Sequence, residues 1–507
     1  MAIDFTPLFR PIFIKRSRSA HKAADRVAET QRKVLHSLLT RAQFTEFGKA
    51  NEFKSILKSA EPEKEYACRV AMRQYEDIRE DVMRMVKGER DVLWPGVCRD
   101  FAQSSGTSGG RSKYVPITPA SLKGNHYRGA ACSVAFYLDL VPDSRMFAGK
   151  GFILGGSFAS QLKVADPRVK VGDLSATLIN RINPLANMVR VPDKATALMP
   201  DWETKLPALV KASAYADITN ISGVPSWFLT VIKRVMEERG ADSLREVWPN
   251  LEVFFHGGIS FEPYRDEYVK LTDSEKMHFL ETYNASEGFF AAQDDFASHS
   301  MLLIVDADIY YEFLPLGSDV ALPITDVEPG KVYELVISSS NGLWRYRLGD
   351  TVVIDSVNPV KIRVAGRTRS FINAFGEELM EDNAEKAMAE AARLTGAAIL
   401  NYTAAPVFAD DKRRGRHQWL VEWETPPVDL THFGEILDLE LRKLNSDYDA
   451  KRAHTIFLDP PEIITARQGL FDKWLRHAGN HKLGGQRKVP RLSNTRQLMD
   501  TLLNLNS

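Results

Sequence analysis

The segment from Ser104 to Lys113, with the sequence SSGTSGGRSK, has the composition of an anion-binding loop. Its glycines let the backbone fold tightly and turn successive N–H groups to one side, and its hydroxyls add uncharged donors. Lys113 supplies a positive charge at one end. The segment is not a Walker A loop, because no Gly-Lys-Ser/Thr stands at the required spacing. On composition alone, a phosphate-binding loop and a Ser/Gly-rich linker both remain open.

A second segment, YNASEG, runs from Tyr283 to Gly288 directly after MHFLET, which predicts a buried strand. A carboxylate in this position stands at the end of a sheet, where α/β proteins bind ligands. Glu287 is suited to hold Mg²⁺ beside the phosphates of a nucleotide, because Mg²⁺ uses one or two carboxylates plus phosphate oxygens. Tyr283 is suited to lie against a flat ring. The alternative is a solvated carboxylate in a turn.

Two further segments carry arginines beside a possible ribose ligand. In WRYRLGD, Asp350 follows a Gly turn and can accept both ribose hydroxyls, as in dinucleotide sites. The alternative is a cross-strand Arg–Asp ion pair. In GRTR, Arg367 is placed to bind phosphate or ribose, and it could equally cap a turn.

The stretch from Lys473 to Arg491 is strongly basic, with Asp472 as its neighbouring acid. Such a run usually indicates a solvated face or a nucleic-acid patch. Here Gly484 and Gly485 predict a sharp turn, and the apolar character resumes directly after Lys488. We therefore predict a basic loop of a small terminal domain that closes over polyphosphate.

Composition narrows the function classes. The chain has 507 residues with 66 Lys and Arg against 66 Asp and Glu, so a general nucleic-acid binder is disfavoured. Three widely spaced cysteines fit a reducing compartment, and we predict that all three are buried. No apolar run approaches the length that spans a bilayer. Near the start, a basic cluster follows an apolar patch, the reverse of a secretory signal, so we predict a cytoplasmic protein. The alternative is a start that docks weakly on a membrane or a partner.

The elements that position these segments predict an α/β fold. Residues 20–60 and 66–87 have helical periodicity, and after Val92 short apolar segments alternate with Gly-, Pro- and Ser-rich turns and with helices. This alternation indicates mixed or parallel sheets covered by helices. After Glu377 the order is helix, strand, strand, helix. We predict a large N-terminal domain with layered sheets and helices over residues 1–375 and a small, mobile α+β domain over 376–507.

In this order, the segments resemble the Gretchen Hagen three (auxin-responsive) family of acyl acid amido synthetases. That family belongs to the adenylate-forming, firefly-luciferase-like superfamily. The most specific pieces are SSGTSGGRSK, YNASEG, NGLWRYRLGD and the terminal GGQRKVPRL, and the resemblance covers nearly the whole chain. Several collinear motifs are far more specific than any one of them.

The resemblance implies an ATP- and Mg²⁺-dependent ligase that joins a small hydrophobic or aromatic acid to an amino acid or another amine. It implies catalytic roles for Lys488, on the α-phosphate, and for Glu287, as the Mg²⁺ ligand. Asp350 would hold the ribose, and Arg367 would lie near the hinge. The residues to which it gives ATP-binding roles are Ser104, Ser105, Gly106, Thr107, Ser108, Lys113, Gly257, Gly258, Tyr283, Ser286, Asp350 and Arg367.

The sequence departs from the plant pattern at His256–Ile259 and at Asn284-Ala285, which leaves the acid and the amine open. We place the acyl pocket near residues 132–138 and 254–259. Two alternatives remain: an adenylating ligase that passes the acyl group to coenzyme A or a carrier thiol, and a non-catalytic nucleotide-binding regulator. We predict a monomer that engages neither nucleic acid nor membrane.

Overall fold

The computed structural model describes residues 4–104, 113–160, 162–258, 261–272, 274–367, 371–372, 374, 377, 379–407, 415–445, 448–449, 452, 458–477, 489–493 and 495–507. The helices are α1 Thr6–Ala24, α2 Val27–Ala42, α3 Glu46–Ala50, α4 Phe53–Ile56, α5 Pro62–Arg69, α6 Tyr75–Val86, α7 Pro119–Ser121, α8 Tyr127–Leu140, α9 Leu174–Arg181, α10 Pro184–Met188, α11 Lys194–Ala197, α12 Trp202–Ser213, α13 Pro225–Arg239, α14 Leu244–Val247, α15 Glu262–Thr272, α16 Glu381–Thr395, α17 Leu430–Leu444, α18 Leu470–His477 and α19 Gln497–Asn506. A π-helical turn, Leu122–His126, joins α7 to α8.

The strands follow the same order along the chain. They are β1 Asp100–Ser104, β2 Lys113–Pro116, β3 Lys150–Ile153, β4 Lys170–Gly172, β5 Arg190–Val191, β6 Ile218–Gly223, β7 Val253–Gly257, β8 His278–Ala285, β9 Gly288–Gln293, β10 Met301–Leu303, β11 Ile309–Pro315, β12 Leu322–Pro323, β13 Val332–Ser339, β14 Tyr346–Val357, β15 Val360–Arg367, β16 Phe371–Ile372, β17 Leu379–Met380, β18 Ala398–Val407, β19 Arg416–Thr425 and β20 Glu462–Thr465.

A twelve-stranded mixed sheet forms the centre of the large domain. Its strand order is β12-β11-β13-β14-β15-β10-β9-β8-β7-β6-β3-β5. The strands from β5 to β8 are parallel, whereas β8 and β9 begin the antiparallel half. A smaller sheet, β2-β1-β4, lies beside it. The predicted α/β layers are therefore confirmed.

Helix α13 shows how local sequence sets these elements. Pro225 begins it, where a proline costs no hydrogen bond, and Gly240 ends it in the left-handed region with φ 59°. The side chains that bury its inner face recur at helical spacing. They are Phe228, Val231, Ile232 and Val235.

The small domain contains the predicted helix, strand, strand and helix as α16, β18, β19 and α17. The structure adds β20, which pairs parallel to β19, and the helices α18 and α19. Among the described residues, the apolar clusters of the large domain end at Ile362 and those of the small domain begin at Ile372. A large domain and a smaller C-terminal one are thus confirmed as the fold, while the boundary between residues 375 and 376 stays a prediction.

Two smaller expectations have mixed outcomes. Cys98 and Cys132 are buried as predicted, but Cys68 is exposed, because α5 turns that side chain outward. Of the helices that the structure describes, none has both the length and the apolar character needed to cross a bilayer.

Candidate active site

A cleft of about 2300 Å³ opens between the large and the small domain. The large domain contributes the ends of β7, β8 and β14 to its wall, and the small domain contributes α16 and the segment at Arg491. Predicted site residues that line the cleft are Lys113, Gly257, Gly258, Tyr283, Ser286, Glu287 and Asp350. Residues that are up to 237 positions apart, from Lys113 to Asp350, therefore meet at one site.

Ser286 and Glu287 form a two-residue turn between β8 and β9. Both side chains are buried, and the peptide carbonyl of Glu287 accepts a 2.8 Å hydrogen bond from Asn341 Nδ2. The Ser286 hydroxyl has no hydrogen-bond partner within the described part of the chain. A buried hydroxyl without a partner is costly unless a ligand completes it. The turn thus offers a carboxylate and a hydroxyl to the cleft.

Tyr283 and Asp350 are joined by a buried hydrogen bond. The Tyr283 hydroxyl donates to Asp350 Oδ2 at 2.8 Å, and each residue is only 7% exposed. The Tyr283 ring lies tilted against Phe290, with centroids 4.8 Å apart. Asp350 stands opposite Arg367 in the β14–β15 register, which brings the two predicted ribose-side residues together in the backbone. The Arg367 side chain lies outside the described atoms.

Gly257 is the last residue of β7, and Gly258 follows it; both line the cleft. A Cβ on Gly257 would lie 2.4 Å from the Thr282 carbonyl oxygen on β8, so only glycine fits there. Gly258 has φ 82°, in the left-handed region that favours glycine. The chain therefore presents bare backbone to the cleft at this point, as expected for a surface that flanks a flat ring.

The predicted phosphate loop begins and ends at neighbouring positions. Ser104 on β1 pairs with Lys113 on β2, and Lys113 Nζ lies 3.5 Å from the Tyr346 hydroxyl. Eight residues of the loop, 105–112, lie outside the described residues, and so does the predicted catalytic lysine. The predicted site residues among them are Ser105, Gly106, Thr107, Ser108 and Lys488.

The two arginines of WRYRLGD, Arg345 and Arg347, pair with glutamates of the large sheet. Arg345 makes a bidentate pair with Glu312 at 2.9 and 2.8 Å, and Arg347 pairs with Glu334 at 2.6 Å. Both glutamates lie on neighbouring strands of the large sheet. Asp350 therefore keeps its place at the cleft wall beside Tyr283.

Part of the predicted acyl pocket lines the cleft, and its assignment to the acid stays a prediction. On α8, Ser133 and Val134 line the cleft, whereas Cys132 and the residues from 135 to 138 pack in the core. The wall continues through apolar side chains of α9 and the segment after it. They are Leu174, Leu178, Ile179 and Ile182.

His126 was not found from the sequence. It lines the same wall, is 2% exposed, and its Nε2 has no partner within the described residues. Burial lowers the pKa of this imidazole to about 4, so the ring is neutral near pH 7. A lone histidine among glycine and aromatic residues has no spacing signal that would have revealed it.

Glu281 is a second residue that the sequence did not indicate. It faces the cleft two residues before Tyr283 on β8. Burial first, and the carboxylate of Glu262 second, raise its pKa to about 7 against the opposing effect of Arg265. The cleft therefore contains a carboxyl group that titrates near neutral pH.

The oxygen donors at the cleft wall fit a Mg²⁺ site that a bound nucleotide completes. The described residues contain no cluster of three or more His, Cys, Asp or Glu that would hold a metal ion alone. Mg²⁺ does not need such a cluster, because phosphate oxygens and water complete its octahedron. Glu287, a buried carboxylate at a cleft wall, fits this arrangement.

Three family models match the chain. They are the GH3 family N-terminal domain over residues 16–277, the GH3 family central domain over 302–367 and the GH3 family C-terminal domain over 382–497. Together they cover most of the sequence.

Among named relatives, indole-3-acetic acid-amido synthetase GH3.4 of Arabidopsis thaliana is 23% identical over 93% of this chain and 90% of the relative. Jasmonoyl-L-amino acid synthetase GH3.5 of Oryza sativa subsp. japonica is 26% identical over 49% of this chain and 46% of the relative.

Solved structures share the fold. AtGH3.15 acyl acid amido synthetase in complex with 2,4-DB superposes with a TM-score of 0.79 at 18% identity, covering 100% of this chain and 98% of that one. A 2-hydroxyisobutyryl-CoA ligase in the postadenylation state superposes with a TM-score of 0.54 at 12% identity, covering 97% and 90%.

Proposed function

The chain belongs to the GH3 family, and from this we propose that it is an ATP-dependent acyl acid amido synthetase. In the first step, a carboxylate oxygen of a small hydrophobic or aromatic acid attacks the α-phosphorus of ATP, giving an acyl-AMP and pyrophosphate. In the second step, the nitrogen of an amino acid or another amine attacks the acyl carbon, loses a proton and expels AMP. The observation that carries the proposal is the meeting of Tyr283, Glu287 and Asp350 at one cleft.

The first step brings anions together, so positioning and charge neutralisation dominate its barrier. We propose that Asp350 accepts the ribose hydroxyls while the Tyr283 hydroxyl holds its carboxylate at 2.8 Å. The ring of Tyr283 and the backbone of Gly257 and Gly258 would flank adenine. Tyr283, Asp350 and Gly257 are already fixed by sheet hydrogen bonds or burial, which supports a preorganised nucleotide site.

The remaining nucleotide contacts follow from the family pattern. We propose that the Ser104–Ser108 segment and Ser286 donate to phosphate oxygens, with Lys113 at the basic end. Glu287 would hold Mg²⁺, which neutralises phosphate charge when bound. Lys488 would bring a positive charge to the α-phosphate, and Arg367 would contact ribose or phosphate.

The acid is proposed to bind along α8 and α9. The wall there consists of apolar side chains such as Val134, Leu178 and Ile179, with the neutral His126 beside them. The part of this wall that the structure describes carries no charged side chain on α8 or α9. This composition suits an acid whose tail is apolar and uncharged.

The second step requires a route by which the amine can enter the cleft. Pyrophosphate must leave before the amine arrives, and rotation of the domain from residue 376 onward about a hinge near residues 366–376 would open that route. On this proposal Lys488 acts in adenylation and is then withdrawn.

A coenzyme A or carrier-thiol ligase is the second candidate, because a 2-hydroxyisobutyryl-CoA ligase shares the fold. A nucleotide-binding regulator without turnover is the third. Fold likeness alone does not separate these three functions.

The test is a mass-spectrometric screen of acids against amines with ATP and Mg²⁺, with coenzyme A as a separate arm. We expect acid-dependent ATP–pyrophosphate exchange, then an amide product and AMP without thiol. A thioester without amide would support the ligase alternative, and ATP binding without exchange for any acid would support the regulator. Glu287→Gln should lose exchange, whereas Glu435→Gln, at an exposed site on α17, serves as the matched control.

A further inference from the structure

The outward face of α1 carries exposed apolar side chains. Leu8 is 66% exposed and Ile12 is 65% exposed, and Phe5 and Phe9 beside them are 38% and 36% exposed. Their spacing of three and four residues places them along one side of the helix. Large apolar residues that cluster in this way on a surface usually mark an interaction site.

The same helix carries only positive charge. No Asp or Glu occurs between Phe5 and Ala24. Lys15, Arg18 and Lys22 are exposed, and none of the three forms an ion pair within the part of the chain that the structure describes. At 100° per residue, these cations continue the outward face that Leu8 and Ile12 begin.

The inward face is firmly held, so the apolar side cannot turn into the fold. Arg10 donates from its guanidinium to the carbonyl oxygens of Leu138, Val141 and Ser144 at 2.6, 3.2 and 3.2 Å. Arg16 pairs with Asp306 in a bidentate manner at 2.6 and 2.7 Å. The exposed side chains are therefore left for an external surface.

Contrary to our prediction from the sequence that the protein engages no membrane, we propose that α1 docks the protein peripherally on an anionic lipid surface. Leu8 and Ile12 would enter the boundary between headgroups and acyl chains, while Lys15, Arg18 and Lys22 would contact lipid phosphates and carboxylates. An apolar stripe flanked by cations on a helix in the interface plane is the physical pattern of such docking. A nucleic acid matches the charge but offers no apolar layer for Leu8 and Ile12.

The test uses the full-length protein and sedimentation with two kinds of vesicle, phosphatidylcholine alone and phosphatidylcholine mixed with phosphatidylserine. We expect binding to the mixed vesicles only, weakening as salt rises. Each cation near an anionic surface changes the binding constant about fivefold, so Lys15→Gln with Arg18→Gln should weaken binding about 25-fold.

The contribution of the exposed apolar side chains of α1 to vesicle binding is tested with a separate variant. Leu8→Ser with Ile12→Ser should abolish vesicle binding, whereas Leu439→Ser, at a half-exposed leucine on α17, should leave it unchanged. Thermal midpoints and pyrophosphate exchange should match the parent protein in all these variants. Equal binding to both vesicle types, or unchanged binding of the Leu8 and Ile12 variant, overturns the proposal. So does concentration-dependent self-association that this variant removes, because a second copy would then be the occupant.

Discussion

The hydrogen bond between Tyr283 and Asp350 gives the sharpest test of the nucleotide site. Tyr283→Phe removes one hydroxyl and keeps the ring that packs on Phe290. Asp350 then loses a donor at 2.8 Å in surroundings where each partner is only 7% exposed. A hydrogen bond to a charged group contributes about 1.5–3 kcal/mol, which corresponds to roughly 10- to 150-fold in a binding constant.

We expect this contribution to appear in ATP binding, because Asp350 is the group proposed to bind ribose. Tyr283→Phe should raise the ATP dissociation constant by about tenfold, the lower end of that range. Asp350→Asn should raise it more. The double variant should bind ATP no more weakly than Asp350→Asn alone, since Tyr283 acts through the carboxylate.

The assay is calorimetric ATP titration of the parent, both single variants and the double variant, with thermal midpoints recorded for each. Tyr66→Phe is the matched control, because its hydroxyl is buried at 2.6 Å from Ser338 Oγ and does not line the cleft. It should lower stability and leave ATP binding unchanged. Strictly additive losses in the double variant would refute the coupling between Tyr283 and Asp350. Unchanged ATP affinity in Asp350→Asn would refute the ribose assignment.

Three further residues and one ion pair give separate predictions. Glu287→Gln should lower the rate of Mg²⁺-dependent pyrophosphate exchange by a factor on the order of 10² or more. If the exchange rate of this variant depends on Mg²⁺ concentration as in the parent protein, Glu287 is not a Mg²⁺ ligand. Lys488→Ala should abolish exchange without moving the thermal midpoint, and parent-like exchange would remove the lysine from adenylation. Arg345→Ala should lower the free energy of unfolding, measured in urea, by about 3–5 kcal/mol, because it leaves the buried Glu312 carboxylate without its bidentate partner. A loss below about 1 kcal/mol would contradict this. Between its ordinary pKa of 4.5 and its folded pKa of about 7, Glu281 holds a proton that the unfolded chain has already released. The free energy of unfolding should therefore fall by up to about 3 kcal/mol as the pH rises through this range. Glu281→Gln should remove that fall when urea unfolding is measured at several pH values.

The sequence could predict the local elements because their signals are local. Helix α13 has its proline start, glycine end and apolar period within sixteen residues, and the order α16, β18, β19 and α17 follows from periodicity alone. The pairing of β10 with β15, which joins Met301 to Ile362, could not be predicted in the same way. Such pairing is selected by packing across the whole sheet, and no single segment contains it.

In the candidate site, too, the local sequence predicts the residue types, whereas the pairing of distant strands decides which of them meet. The motifs identified Tyr283 and Asp350 individually, but their hydrogen bond joins strands that are 67 residues apart. The arginines beside Asp350 suggested an Arg–Asp pair, yet their partners are Glu312 and Glu334 on strands earlier in the chain. Residue types therefore indicated which chemistry is available, and only the sheet register determines which groups meet.

The contacts between the two domains bear on the proposed rotation. Among the described residues, no apolar cluster crosses from Ile362 to Ile372, so moving the small domain does not require a hydrophobic core to open. The polar links that cross include Lys233 of α13 with Glu424 of β19, and Arg476 with Glu203 at 3.8 Å. These side chains are between about a third and three quarters exposed, and pairs of this kind contribute roughly 0–1 kcal/mol each. Ion pairs of this kind oppose rotation of the small domain only weakly, which supports the rotation that we propose for a two-step ligase with one shared site.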